Sequence, residues 1–171
     1  MMRILGIDPG SMITGFGVIE HDNRGARALG WGCIKTEGGE WPARLRRIYE
    51  AIGATVQQYN PDEVAIESAF VHRNAASALK LGQARAAALC GVFDAAGGVF
   101  EYAPRAVKLA VVGTGSATKE QVQHMIKALL KLSELPPADA ADALAVAVCH
   151  AHGRQTRVLL DGLRGRGRRR R

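Results

Sequence analysis

A chain of 171 residues has room for one domain with one sizeable core, and its 47 % apolar content is ordinary for a globular protein. No uncharged apolar run is long enough to span a bilayer, Asp8 interrupts the N-terminus before a signal-peptide core could form, and Cys33, Cys90 and Cys149 lack metal-type pairing, so no membrane association and a cytoplasmic protein with reduced thiols are expected. The net charge of +7 belongs to residues 154–171, which hold eight arginines and one acid, whereas residues 1–153 hold 15 bases and 15 acids.

Residues 3–7 (RILGI) form a short apolar run ending in Asp-Pro-Gly, which predicts a strand entering a turn. Residues 13–20 and 27–36 read as two further strands joined by turn material, so the first three strands should form an antiparallel meander. Pro42 opens a helix on which Leu45, Ile48, Ile52 and Val56 keep helical spacing as far as Tyr59. Asn60-Pro61-Asp62 breaks it, and 63–67 (EVAIE) reads as a buried strand. A long helix over 74–95, a fifth strand over 99–102 and a short helix from Pro104 to residue 112 follow. Thr118 and Gln121 make a capping-box pattern for a helix to about residue 132, and a last helix spans about 138–152. The arginine-rich end is low in complexity and is expected to be disordered. The organisation is therefore an α/β domain over 1–153 with a basic tail over 154–171. Its architecture is a mixed five-stranded sheet with helices on both faces.

Four acids stand out by placement. Asp8 ends the first strand and Glu67 the fourth, while Asp139 and Asp142 share one face at the start of the last helix. Each of the first three has a structural reading, as turn former, solvated strand end or partner of the helix dipole. Asp142 does not fit one. Its neighbours Ala140, Ala141, Ala143, Leu144, Ala145, Val146, Ala147 and Val148 make the helix apolar nearly all round, and a carboxylate there costs free energy without a partner. Strand ends and a helix start can converge at one sheet edge, and carboxylates clustered there would suit Mg2+, which takes oxygen ligands and substrate phosphates. Residues 68–127 carry seven bases and three acids between acidic flanks, which suits an anionic polymer brought to such a site. His124, His150 and His152 lack a zinc-ligand pattern and read as polar surface or helix-end residues.

At these residues the chain resembles a known family. GIDPGSMITGFGVI, the AIES segment, SALKLGQARAAAL, VKLAVVGTGSATKEQVQHMI and DAADALAVAVCHAH, in that order over about residues 2–152, closely resemble the bacterial RuvC Holliday junction resolvases. The resemblance implies a ribonuclease H-like fold, a homodimer, and Mg2+ or Mn2+ at the site. The implied reaction is paired symmetric nicking of four-way junction DNA in recombination and repair. It also implies cooperation with the RuvA and RuvB branch-migration proteins and a preference for thymine-rich sites. Asp8, Glu67, Asp139 and Asp142 match the family's acidic tetrad; some members carry His at the place of Asp139. Lys108 and Lys119 match its functional basic positions, where a point charge meets phosphate. Phe70 matches an aromatic near the junction centre, where a ring wedges into or stacks on a base. Arg73, Lys80 and Arg85 complete the expected DNA contacts.

Three other readings compete. A kinase-like ATPase shares the opening strand, Asp-x-Gly and hairpin, but needs a second such hairpin and about twice the length. A ribonuclease of the same fold that processes RNA is the alternative the tetrad alone leaves open. A non-catalytic junction binder gains nothing from acids aimed at phosphates. The helix over 74–95 carries apolar residues on nearly every face, with Gly82 among them, more than one sheet face needs, and a two-fold partner would cover the surplus.

Overall fold

The computed structural model describes residues 1–22, 24–68, 74–95 and 97–168, with backbone alone over 155–168. Its elements in chain order are β1 (Met2–Asp8), β2 (Ile13–Asp22), β3 (Gly25–Lys35), α1 (Trp41–Tyr59), β4 (Glu63–Glu67), α2 (Ala75–Cys90), β5 (Val99–Tyr102), α3 (Pro104–Val112), α4 (Lys119–Leu129) and α5 (Ala138–Arg168). The expected architecture is the observed one: a five-stranded sheet in the order β3-β2-β1-β4-β5, antiparallel across the meander and parallel from β1 through β4 to β5. The backbone of α5 runs past His152, where the sequence placed the helix end, to Arg168. The expected disorder of the tail falls on residues described by backbone alone or not at all.

The central strands are covered on both faces, which is why β1 and β4 read as continuous apolar runs. Ile4, Leu5, Ile7, Val64, Ala65 and Ile66 are fully buried. Leu5, Ile7, Val64 and Ile66 point to α1 and α2, where Ile48, Ile52, Ala84 and Ala88 meet them. Ile4, Ile19 and Ala65 point to the opposite layer, with α5 lying on the sheet and α3 and α4 beyond it.

Helix α5 approaches that second face closely because both surfaces are small. A Cβ on Gly6 would run into the Ala143 carbonyl and lie 2.8 Å from the Ala147 nitrogen, and one on Gly15 would run into the Asp139 carbonyl. Side chains alternate along a strand, so Asp8 shares a face with Gly6, and Glu67 shares one with Ala65. The parallel register pairs Ile7 with Ile66 and thus sets Asp8 beside Glu67 at the carboxyl edge, on the side where α5 lies.

Candidate active site

That edge opens into a cleft of about 320 Å³ lined by Asp8, Glu67, Lys108, Lys119 and Asp142, with Pro9, Ser68, Leu81, Pro104, Val107 and Val122 as its further walls. Five elements each contribute one charged group: β1, β4, α3, α4 and α5. Pro104 starts α3 so that Lys108 falls one turn later, and the predicted capping box forms on α4, placing Lys119 at its first position. Lys119 Nζ lies 3.4 Å from Asp142 Oδ2, the lysine largely exposed and the acid largely covered.

Burial dominates the electrostatics. It pushes Asp8 from 3.8 up to about 9, helped by the negative charges of Glu67 and Asp142 and by a hydrogen bond with Glu67. Burial also raises Glu67, against the opposing pull of the bond to Asp8. Asp142 is raised by burial even though Lys119 favours its ionised form. Burial lowers Lys119, but Asp142, Asp139 and Asp8 together outweigh it and hold the ammonium charged. Acids in this state share protons unless a cation neutralises them. The donor set is oxygen only, the choice of a hard divalent ion. Among the described residues no three His, Cys, Asp or Glu side chains stand close enough to hold one ion; instead Asp8 pairs with Glu67, and Asp142 with Lys119. The chemistry of these acids suits a divalent cation, although no three of them surround a single point.

Asp139 stands in the first turn of α5, outside the cleft lining, and reaches Asp142 and Lys119 through its charge. Lys80 is exposed on α2, its Nζ 5.8 Å from the centre of the Trp41 ring. Arg85 Nη2 pairs with Glu101 Oε1 at 2.7 Å, while its buried Nε has no hydrogen-bond partner among the described residues. Phe70 and Arg73 lie outside the described residues. The structure thus gathers Asp8, Glu67, Asp142, Lys108 and Lys119, and leaves Lys80 and Arg85 away from the cleft lining.

Sequence reasoning missed the residues that hold the cleft loops. Buried Thr14 and Thr36 bracket the turn after Asp8, through the Gly10 carbonyl at 3.1 Å and the Ser11 and Met12 carbonyls at 3.0 Å. Arg44 Nη2 adds a bond to the Ser11 carbonyl at 2.6 Å. His150, expected at the surface or a helix end, is buried and bonded on both ring nitrogens. Only its partners explain its place, and no local pattern announces them.

Comparison with known proteins sets the fold in the ribonuclease H-like class. A solved structure of Thermus thermophilus RuvC matches with a TM-score of 0.79 at 36 % identity, over 91 % of this chain and 97 % of that one. The same protein in complex with a Holliday junction substrate matches with a TM-score of 0.80 at 34 % identity, over 90 % and 96 %. The family model "Crossover junction endodeoxyribonuclease RuvC" covers residues 4–150. The protein so named from Aeromonas salmonicida (strain A449) is 55 % identical over 162 residues, 95 % of this chain and 94 % of that one. This chain belongs to the RuvC family.

Proposed function

We propose that this RuvC-family nuclease resolves Holliday junctions at the cleft by paired, symmetric phosphodiester hydrolysis with Mg2+, for which Mn2+ can substitute. The observation that carries the reading is the meeting of three raised carboxyls and two lysines, from five elements, in one cleft. The likeness to a RuvC solved on a junction supports the substrate. Asp8, Glu67 and Asp142 would hold the cations, two per subunit, with Asp139 as the fourth acid of the set. Bound there, such ions activate water on one side of a phosphate and stabilise the leaving oxygen on the other.

The chain's own groups do the rest. Lys108 and Lys119 stabilise negative charge that develops on the phosphate, in a site where partial burial strengthens the interaction. Lys119 is 62 % exposed at its side chain and so is free to meet DNA while holding Asp142. Lys80, exposed on α2, would meet an arm's backbone; Arg85, the other expected contact on that helix, is paired with Glu101. Phe70 and Arg73 remain proposed junction contacts.

The dimer belongs to the same proposal. Ala84 and Ala88 of α2 are buried against the chain's own core, but Leu79, Gly82, Ala86 and Cys90 are exposed, and Phe93 extends their line just beyond the helix. These positions recur every three or four residues, a single apolar stripe in solvent. Leu79 is 64 % and Phe93 72 % exposed. A two-fold copy would cover that stripe and supply the second cleft that paired cuts require. We place the protein in the cytoplasm, acting with RuvA and RuvB; no helix among the described residues is long and apolar enough to cross a membrane.

The test is incubation of chelator-treated protein with a synthetic four-way junction, a linear duplex and an RNA–DNA hybrid, with and without Mg2+. Cleavage of the junction alone, and only with the cation, is expected. Preferential cutting of the hybrid would instead favour an RNA-processing nuclease of the same fold.

A further inference from the structure

Behind the cleft a chain of directional bonds joins α5 to the edge of the sheet. His150 is 3 % exposed, its Nε2 2.5 Å from Glu63 Oε2 and its Nδ1 2.7 Å from the Tyr102 hydroxyl. Its ring packs 4.6 Å from the Phe100 ring, centre to centre, and Arg154 Nη2 holds the other oxygen of Glu63 at 3.3 Å. An ionised carboxylate only accepts, so Nε2 carries the proton; in the neutral ring Nδ1 then accepts from the Tyr102 hydroxyl. At the other end of the same residue, the Tyr102 carbonyl accepts from both Ser68 N at 2.9 Å and Ser68 Oγ at 3.1 Å. Ser68 lines the cleft and follows Glu67 directly.

The two ends of this chain lie on the helix that carries Asp142 and next to Glu67. His150 sits on the helix that carries Asp142, about 12 Å further along its axis. Tyr102 pairs with Glu67 across the β4–β5 ladder. Where α5 lies on the sheet, Gly6 and Gly15 meet helix backbone and alanine, Gly17 meets the Leu144 side chain, and Ile4 and Ile19 join the same buried cluster. Apolar packing is non-directional, whereas the hydrogen bonds of Tyr102 and His150 prefer one distance and angle, and so add a fixed point between helix and strands.

We propose that Tyr102 and His150 are positioning residues for the nuclease reaction: through the Tyr102 hydroxyl they fix the place of Asp142 relative to Glu67 and Ser68. The inference rests on the reading of the cleft as a cation-dependent nuclease site. Loss of the bond lets Asp142 drift relative to Glu67, which weakens cation binding and slows cleavage of bound DNA, without touching the surfaces that bind the junction.

Three variants test it. Tyr102→Phe removes only the hydroxyl and keeps the ring. His150→Asn places an amide where Nδ1 stands and so keeps a partner for Tyr102; His150→Gln places one where Nε2 stands and keeps the partner for Glu63. The measurements are Mn2+ binding to the DNA-free protein by electron paramagnetic resonance, the single-turnover rate at saturating junction, and junction Kd without metal. Tyr102→Phe and His150→Gln should each lose about tenfold in Mn2+ affinity and in rate, with junction Kd unchanged and His150→Asn nearer the parent. If His150→Asn is hit as hard as His150→Gln, the ring serves to anchor Glu63 and the proposal fails. It fails equally if Tyr102→Phe, which carries the test should the histidine variants not fold, binds Mn2+ and cuts like the parent. A parent that neither binds Mn2+ nor cuts a junction overturns the reading of the cleft itself, and the positioning role with it.

Discussion

Asp8 shows at a single residue how the site trades stability for chemistry. Its carboxyl moves from 3.8 to about 9 on folding, because burial and then the charges of Glu67 and Asp142 penalise ionisation. A raised acid makes the folded state the better proton binder. Its contribution is therefore fully present below about pH 4 and is lost as pH rises towards 9. Chelator-treated protein should melt at a lower temperature at pH 8 than at pH 5, and Mg2+ should restore more of the loss at pH 8. Asp8→Asn removes the titrating group, so its advantage over the parent should widen with pH, to roughly 0.5–2 kcal/mol, while cleavage disappears. A constant gap across that range in calorimetry would contradict the assignment. Asp142 was legible in the sequence because its neighbours from Ala140 to Val148 are all apolar. His150 was not, because its partners Glu63 and Tyr102 lie 87 and 48 residues away. Lys80 and Arg85 were visible as bases, but their engagement with Trp41 and Glu101 belongs to tertiary packing.

Among the elements, the seating of α5 on β1 and β2 decides where Asp142 stands. The glycines that permit it were read from sequence only as parts of strands, since closeness between a strand and a helix far along the chain leaves no local trace. Gly6→Val should wedge the helix off the sheet, where a Cβ already meets the backbone of Ala143 and Ala147. The expected cost is about 1–3 kcal/mol or more in urea unfolding, with cleavage falling further than the folded fraction. A variant with parental stability and rate would show that the contact is not needed. Strand and helix positions were otherwise legible from turns, prolines and periodicity, and the Thr118–Gln121 capping box formed as read. The helix over 74–95 closes sooner, at Cys90, with Gly91 as its cap. The order of the parallel strands was not legible, because β4 and β5 are apolar runs without a mark of their neighbour.

For the molecule as a whole, the exposed stripe on α2 and the symmetry of the proposed reaction ask for two copies. Ala86→Glu and Phe93→Glu place a charge on that stripe without entering the chain's own core, and each should shift sedimentation to the monomer with paired cutting impaired; two variants that remain dimeric would place the seam elsewhere. The central claim, that two such clefts resolve a junction in concert, is tested most directly by labelling each of the four strands of a synthetic Holliday junction and mapping the cuts made in Mg2+. The account predicts nicks in two opposing strands at symmetric positions, leaving ends that a ligase can seal. Cuts scattered over all four strands, or equal cutting of linear duplex under the same conditions, would contradict it.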